Sequence, residues 1–133
     1  MNVIELKKMI CTFLKTKTAN VYPEDSVPVN AVLPYTTYSL ESGIPGTNRK
    51  MEQFTLIVDN LDNKPETTAL ETVTGSIDGD GDKVSATGLN EKKYFVSGTL
   101  QAGFYREGRF EVPDEDPSIK RRQLRYEVQA YLT

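Results

Sequence analysis

The final stretch of the chain, IKRRQLRYEVQAYL over residues 119–132, alternates without a break. Leu124, Tyr126, Val128, Ala130 and Leu132 fall on one side, and Arg125, Glu127, Gln129 and Tyr131 on the other. Successive side chains of a strand point to opposite faces, so the pattern commits this segment to a strand with one dry face and one wet face. The dry face needs an apolar cover, and the other end of the sequence supplies one. From Val3 the apolar residues fall at 3, 6, 10, 13 and 14, a helical stripe with Lys7, Lys8 and Lys15 turned away. This spacing predicts a first helix over about residues 2–16, with Leu6, Ile10 and Phe13 set against Leu124, Tyr126 and Val128.

Between these ends three more strands and a second helix are legible. LPYTTYSLE (33–41) is rich in β-branched and aromatic residues. EQFTLIVDN (52–60) places Phe54, Leu56 and Val58 on one face and Thr55 and Ile57 on the other, with apolar groups on both, as a central strand requires. KKYFVSGTLQAGFYR (92–106) reads as one long strand, joined to the last by the charged, proline-bearing turn EGRFEVPDEDPS. Asn63 with Glu66 three residues on, and Pro65 between them, gives a helix-start signature and predicts a second helix over about 64–78. The segments at 17–32 and 41–51, rich in proline and glycine, are expected to be surface loops. The order α, β, β, α, β, β, without internal repeat, predicts one α+β domain over 1–133: a four-stranded, largely antiparallel sheet with two helices packed on one face.

Composition narrows function mainly by exclusion. A chain of 133 residues can bury roughly two-thirds of its unfolded surface and needs no staples. The single cysteine, Cys11, has no partner for a disulfide and no histidine with which to build a zinc site. The absence of histidine also removes the usual Ser-His and Cys-His nucleophile pairs. Asp114 and Asp116 lie in a charged turn with nothing to drive their pKa values apart, so they do not suggest a carboxylate pair for catalysis. A net charge of −3 argues against a general nucleic-acid binder. The amphipathic start is neither a signal peptide nor a membrane span. No enzyme, cofactor or metal is expected.

The run IDGDGDK at 77–83 raises the question of calcium. An EF-hand-type loop needs oxygen ligands at positions 1, 3 and 5, glycine at 6 and a bidentate glutamate at 12. Counting from Asp78, position 6 is Lys83 and position 12 is Leu89; counting from Ser76, Gly81 fits but position 12 is Thr87. Neither register closes the cage. The better reading is that Gly79 or Gly81 ends the second helix, although a calcium-regulated binding module stays open as an alternative of a different class.

Charge is placed unusually in PDEDPSIKRRQLRY, where Asp114, Glu115 and Asp116 precede Lys120, Arg121, Arg122 and Arg125 by a few residues. Opposite patches this close suit a head-to-tail contact between copies, or pairing within one chain. Four stretches then carry a resemblance: the N-terminal helix; VYPEDSVPVNAVLPYTTYSL; RKMEQFTLIVDNLDN entering a helix; and GFYREGRFEVPDEDPSIKRRQLRYEV. Together they resemble the tail terminator, or tail-to-head joining, proteins of long-tailed bacteriophages. The resemblance implies a small α+β protein of the virion, assembled in the host cytoplasm and free of cofactors. It implies a hexameric ring on the tail tube that stops polymerisation and presents the surface for the head-completion or connector protein, with DNA passing through and no specific nucleic-acid or membrane binding. Another head-tail connector or minor virion component is the alternative within that class. Contacts are expected from the loop before the second strand, with Arg49 and Lys50, and from the final strand: Asp114, Glu115, Asp116, Arg121, Arg122 and Arg125.

Overall fold

The alternating strand lies at the centre of a sheet. The computed structural model describes residues 3–45, 51–79, 88–92, 95–97 and 100–132. Helix α1 is Val3–Lys15, followed by the short strand β1 (Val21–Pro23) and a single 3-10 turn at Glu24–Ser26. Then come β2 (Tyr35–Pro45), β3 (Met51–Asp62), helix α2 (Thr68–Asp78), β4 (Phe95–Ser97), β5 (Leu100–Glu111) and β6 (Lys120–Leu132). The strands lie in the order β1-β2-β3-β6-β5-β4. β1 runs parallel to β2, and every other neighbouring pair is antiparallel.

The α+β class and the two helices on one face hold, but the sheet is six-stranded and mixed, not four-stranded. Two three-residue strands make the difference, and both lie at edges. β1 is cut from a segment expected to be loop: Val21 to Pro23 pair with Thr36 to Tyr38, and Pro23 then ends the strand because it has no N–H to donate. The predicted strand over 92–106 divides into β4 and β5, with Phe95 to Ser97 folding back on Leu100 to Ala102. β5 also runs on to Glu111, through residues that had read as turn.

The dry face is as the alternation requires. Register aligns Phe54 with Val128 and Val128 with Phe104, a row of three buried side chains across β3, β6 and β5. Leu6, Ile10, Phe13 and Leu14 of α1 and Ile77 of α2 join Leu56, Val58, Leu124, Tyr126 and Ala130 in one apolar cluster. Strands and helices therefore close a single core from one side of the sheet, while Arg125, Glu127, Gln129 and Tyr131 lie on the helix-free face.

α2 begins four residues later than the Asn63-Glu66 signature predicts. The Asp62 carboxylate accepts the Asn63 N–H at 2.8 Å, and the residue before Pro65 is steered away from helical geometry. The first helical bond runs instead from Glu71 N–H to Thr67 O at 2.8 Å. Gly79 ends the helix, with φ of 79° and its N–H donating to Gly75 O. A second glycine makes this stop possible. Leu89 N–H bonds Ile77 O at 2.7 Å and Asn90 N–H bonds Asp78 O at 2.8 Å, so the chain returns alongside the helix end and Gly88 passes directly against Gly79.

One irregularity in β5 decides which residues meet α2. Arg106 pairs with Tyr126 and Gly108 with Arg125, leaving Glu107 as an extra residue, a β-bulge. The bulge resets the alternation, so Arg106 and Arg109, three residues apart, both point to the helix side. Phe110, which would share a face with Arg106 in a regular strand, points to the helix-free side.

Candidate interface at the strand connection and sheet edge

The basic side chains that the bulge gathers find their partners on α2. Asp78, almost fully buried, accepts a hydrogen bond from Tyr126 Oη at 2.8 Å and pairs with Arg106 Nη1 at 2.6 Å. Burial and the neighbouring Asp78 charge push the Tyr126 hydroxyl far above its ordinary pKa, so it remains a donor. Two turns earlier Glu71 receives Arg109 and, at 2.5 Å, Arg122 Nε. The Arg122 hydrogen bond is the main reason the Glu71 carboxyl is held below the usual range. These contacts clamp α2 onto β5 and β6 at both ends of the helix.

The connection between β5 and β6 is held by its own carboxylates. Asp116 Oδ1 accepts from Ser118 N at 2.9 Å and Ser118 Oγ at 2.7 Å, hydrogen bonds that lower its pKa. Asp114 accepts from Asp116 N and pairs with Arg121 Nη2 at 3.0 Å. Lys120 Nζ donates to Pro117 O. The resulting turn frames a shallow groove of about 370 Å³ whose walls include Val112, Pro113, Pro117 and Ile119. Arg121 also lines it, and the Nε of that side chain is buried without a hydrogen-bond acceptor.

On the helix-free face, Gln123 Nε2 donates to Asp59 Oδ1 at 3.0 Å, and Gln123 Oε1 accepts from Arg125 Nε at 2.9 Å. Burial pushes the Asp59 carboxyl above its ordinary pKa; Gln123, Arg121 and Arg125 oppose that push, and Glu24 adds to it. Arg125 lies 5.4 Å above the centre of the Phe110 ring, an aromatic left 44 % exposed. At the β1–β2 edge, the loop over 27–34 carries Val29 with no cover at all and Val32 73 % exposed, next to the exposed acids Glu24 and Asp25.

The residues singled out from sequence thus separate. Asp114 and Arg121 meet within one chain, and Arg122 is taken by Glu71, with Glu111 at 3.6 Å. Glu115 and Asp116 are exposed, and Arg125 lies over Phe110. Arg49 and Lys50 lie outside the described residues, as do Asp80 and Asp82 of the aspartate run. Asp78, the first of that run, is an anchor for the helix end. Sequence reading missed Glu71, Arg106 and Arg109, because only the bulge and the helix position bring them together. It also missed Val29 and Val32, whose signal was present as an apolar run inside a proline-bounded loop. Among the described residues, no helix is long and apolar enough to cross a membrane.

No protein-family model matches the sequence, and no curated protein does. A solved structure does match: a chain of the virion of a native gene transfer agent particle, at TM-score 0.75, with 97% of this chain and 96% of that chain covered. The two chains share one fold. They share it at 9% sequence identity, so the likeness extends over nearly the whole of both chains in architecture but hardly at all in residues.

Proposed function

We propose that this protein is a non-enzymatic virion assembly protein of the tail terminator kind, a single domain that forms a ring on the end of a phage tail tube. In this reading the ring, hexameric by the family resemblance, stops tube polymerisation and offers the surface on which a head-completion or connector protein docks. The observation that carries the proposal is the end-to-end fold shared with a chain of a phage-like particle, joined to the resemblance in sequence. The physical features agree. The sheet is stiffened by the clamps on α2, and its interaction groups sit at an edge loop and a strand connection, where a rigid scaffold can present them. Six copies of a chain of charge −3 would give a ring an average charge of −18, which suits a passage through which DNA slides without sticking.

Asp114, Glu115, Asp116, Arg121, Arg122 and Arg125 belong to this surface, together with Arg49 and Lys50. Their roles within it differ. Arg121 and Asp114 shape the groove, Arg122 holds Glu71, Glu115 and Asp116 are exposed, and Arg125 lies over Phe110. Electron microscopy of the purified protein, alone and mixed with tail tubes, tests the proposal: rings capping tubes of regular length are expected. A protein that neither associates nor caps tubes overturns it. Placement elsewhere in a virion density map would favour a connector or minor component instead. The calcium-module alternative loses its first candidate ligand, because Asp78 is already engaged by Arg106 and Tyr126.

A further inference from the structure

The loop at 24–33 and the groove between β5 and β6 are complementary to one another, and one chain carries both. The loop presents Val29 and Val32 to solvent, flanked by the Glu24 and Asp25 carboxylates. Branched aliphatic side chains this exposed, held between Pro28 and Pro34, are a low-entropy apolar knob in need of cover. The groove is lined by the apolar Val112, Pro113, Pro117 and Ile119, by the basic Lys120, Arg121 and Arg122, and by Glu111 and Asp114, which pair with Arg122 and Arg121. Arg121 adds a positive charge there, on a side chain left 30 % exposed. Its Nη2 pairs with Asp114 and Lys120 Nζ donates to Pro117 O, so these two cationic groups border the groove.

We propose that the 24–33 loop of one copy seats in the β5–β6 groove of the next, with Val29 and Val32 against Pro113 and Ile119 and the Glu24 and Asp25 carboxylates beside Lys120 and Arg121. The loop hangs from the β1–β2 edge, and the groove belongs to the β6–β5 half of the sheet, with β3 between them. Two different patches of one molecule make a heterologous contact, which repeats in one direction and closes into a ring when the rotation permits. This deepens the ring reading above and rests on it. It also replaces the pairing of the arginines with a neighbour's 114–116 turn, because the Asp114 carboxylate is used within its own chain.

The test is a cysteine pair, Val29→Cys with Ile119→Cys, in a Cys11→Ser background that removes the only native thiol. Val29 is fully solvent-exposed, so its substitution leaves folding intact, which circular dichroism would verify. Oxidation of the full-length protein, on tail tubes if needed, is expected to give a ladder of disulfide-linked species extending beyond the dimer; each single-cysteine variant should give dimers at most. In parallel, Glu24→Lys with Asp25→Lys is expected to weaken self-association by about ten-fold or more, read as oligomer mass by light scattering. Rings of normal mass from the lysine variant, with no ladder from the cysteine pair, would overturn the loop-in-groove contact and leave the ring reading standing. A ladder that stops at dimers would overturn the head-to-tail geometry. Normal rings that lose tube capping when Val29 becomes Asp would assign the loop to the tube and overturn the self-contact. Wild-type protein that remains monomeric even on tail tubes would overturn both this contact and the ring.

Discussion

Gly88 to alanine is the smallest change that tests how α2 is terminated. An ideal Cβ on Gly88 would sit 2.3 Å from Gly79 N, 2.4 Å from the Asp78 carbonyl carbon and 2.5 Å from its oxygen. Ordinary contacts between such atoms are about 3.5 Å, so roughly an ångström must open between two stretches of backbone. Neither stretch yields freely. The Gly88 side is tied by the Leu89-to-Ile77 and Asn90-to-Asp78 hydrogen bonds, and the Asp78 side by the carboxylate docked on Tyr126 and Arg106. Overpacking of this kind costs about 1–3 kcal/mol. Weakening two backbone hydrogen bonds adds about 1 kcal/mol each. Alanine's smaller loss of chain entropy returns about 0.4–1 kcal/mol. A net destabilisation of about 2–4 kcal/mol is expected, equivalent to roughly 10 °C in Tm for a domain of this size. Gly75 supplies the control, since a Cβ there meets nothing within 4 Å. Gly75→Ala lies inside the helix and should stabilise by about 0.5–1 kcal/mol. Urea unfolding followed by far-ultraviolet circular dichroism would measure both. A Gly88→Ala protein as stable as wild type, or both variants shifting in the same direction, would refute the close passage of the chain at the helix end.

Three further outcomes are expected. Tyr126→Phe deletes the hydroxyl that donates to buried Asp78 and should cost about 1.5–3 kcal/mol, read as a shift in urea midpoint. Asp59 has a raised folded-state pKa. Its protonation therefore favours the native state below the ordinary aspartate value, and that contribution is lost as pH rises through the folded value. Asp59→Asn keeps an acceptor for Gln123, so it should be more stable than wild type at pH 7 and lose that advantage in acid; urea midpoints that move in parallel across this window would contradict the assignment. Val128→Asp buries an unpaired carboxylate between Phe54 and Phe104 and should prevent soluble expression, whereas Gln129→Asp on the other face should express; soluble, folded Val128→Asp protein would show the faces reversed.

Much of the fold is written in local pattern, because burial on one side of a helix or strand imposes a period on the sequence. The stripe of α1 and the alternation of β3 and β6 follow from that period alone, and those elements supply most of the core. The edge strands leave no such trace. Three residues are too few to show alternation, and β1 forms only because β2 offers it a pairing edge. The start of α2 went astray where two local signals competed, a capping pattern at Asn63 and the constraint before Pro65. The candidate interface was legible in composition but not in pairing. Opposite charges near one another in sequence predicted an association, yet the sequence could not tell that Arg122 would be claimed by Glu71 from a helix fifty-one positions away. Nor could it reveal the unpaired Nε of Arg121, a fact of geometry and not of residue type.

The bulge at Glu107 bears on how this chain is to be compared with distant relatives. Two arginines that serve the same helix from a regular strand must be separated by an even number of positions; here the separation is odd, and one supernumerary residue accounts for the parity. A relative without the bulge that keeps both contacts would carry its basic residues two apart and be one residue shorter in that strand. Aligning the arginines without a gap would then misassign every side chain beyond the bulge, exchanging the partners of the helix with those of the open face. The parity of basic residues along this strand is thus a marker that survives when residue identity has faded. Removing Glu107 from the present chain would be the corresponding experiment, leaving Arg106 and Arg109 two apart in a regular strand with both still toward α2 and Phe110 still on the helix-free face.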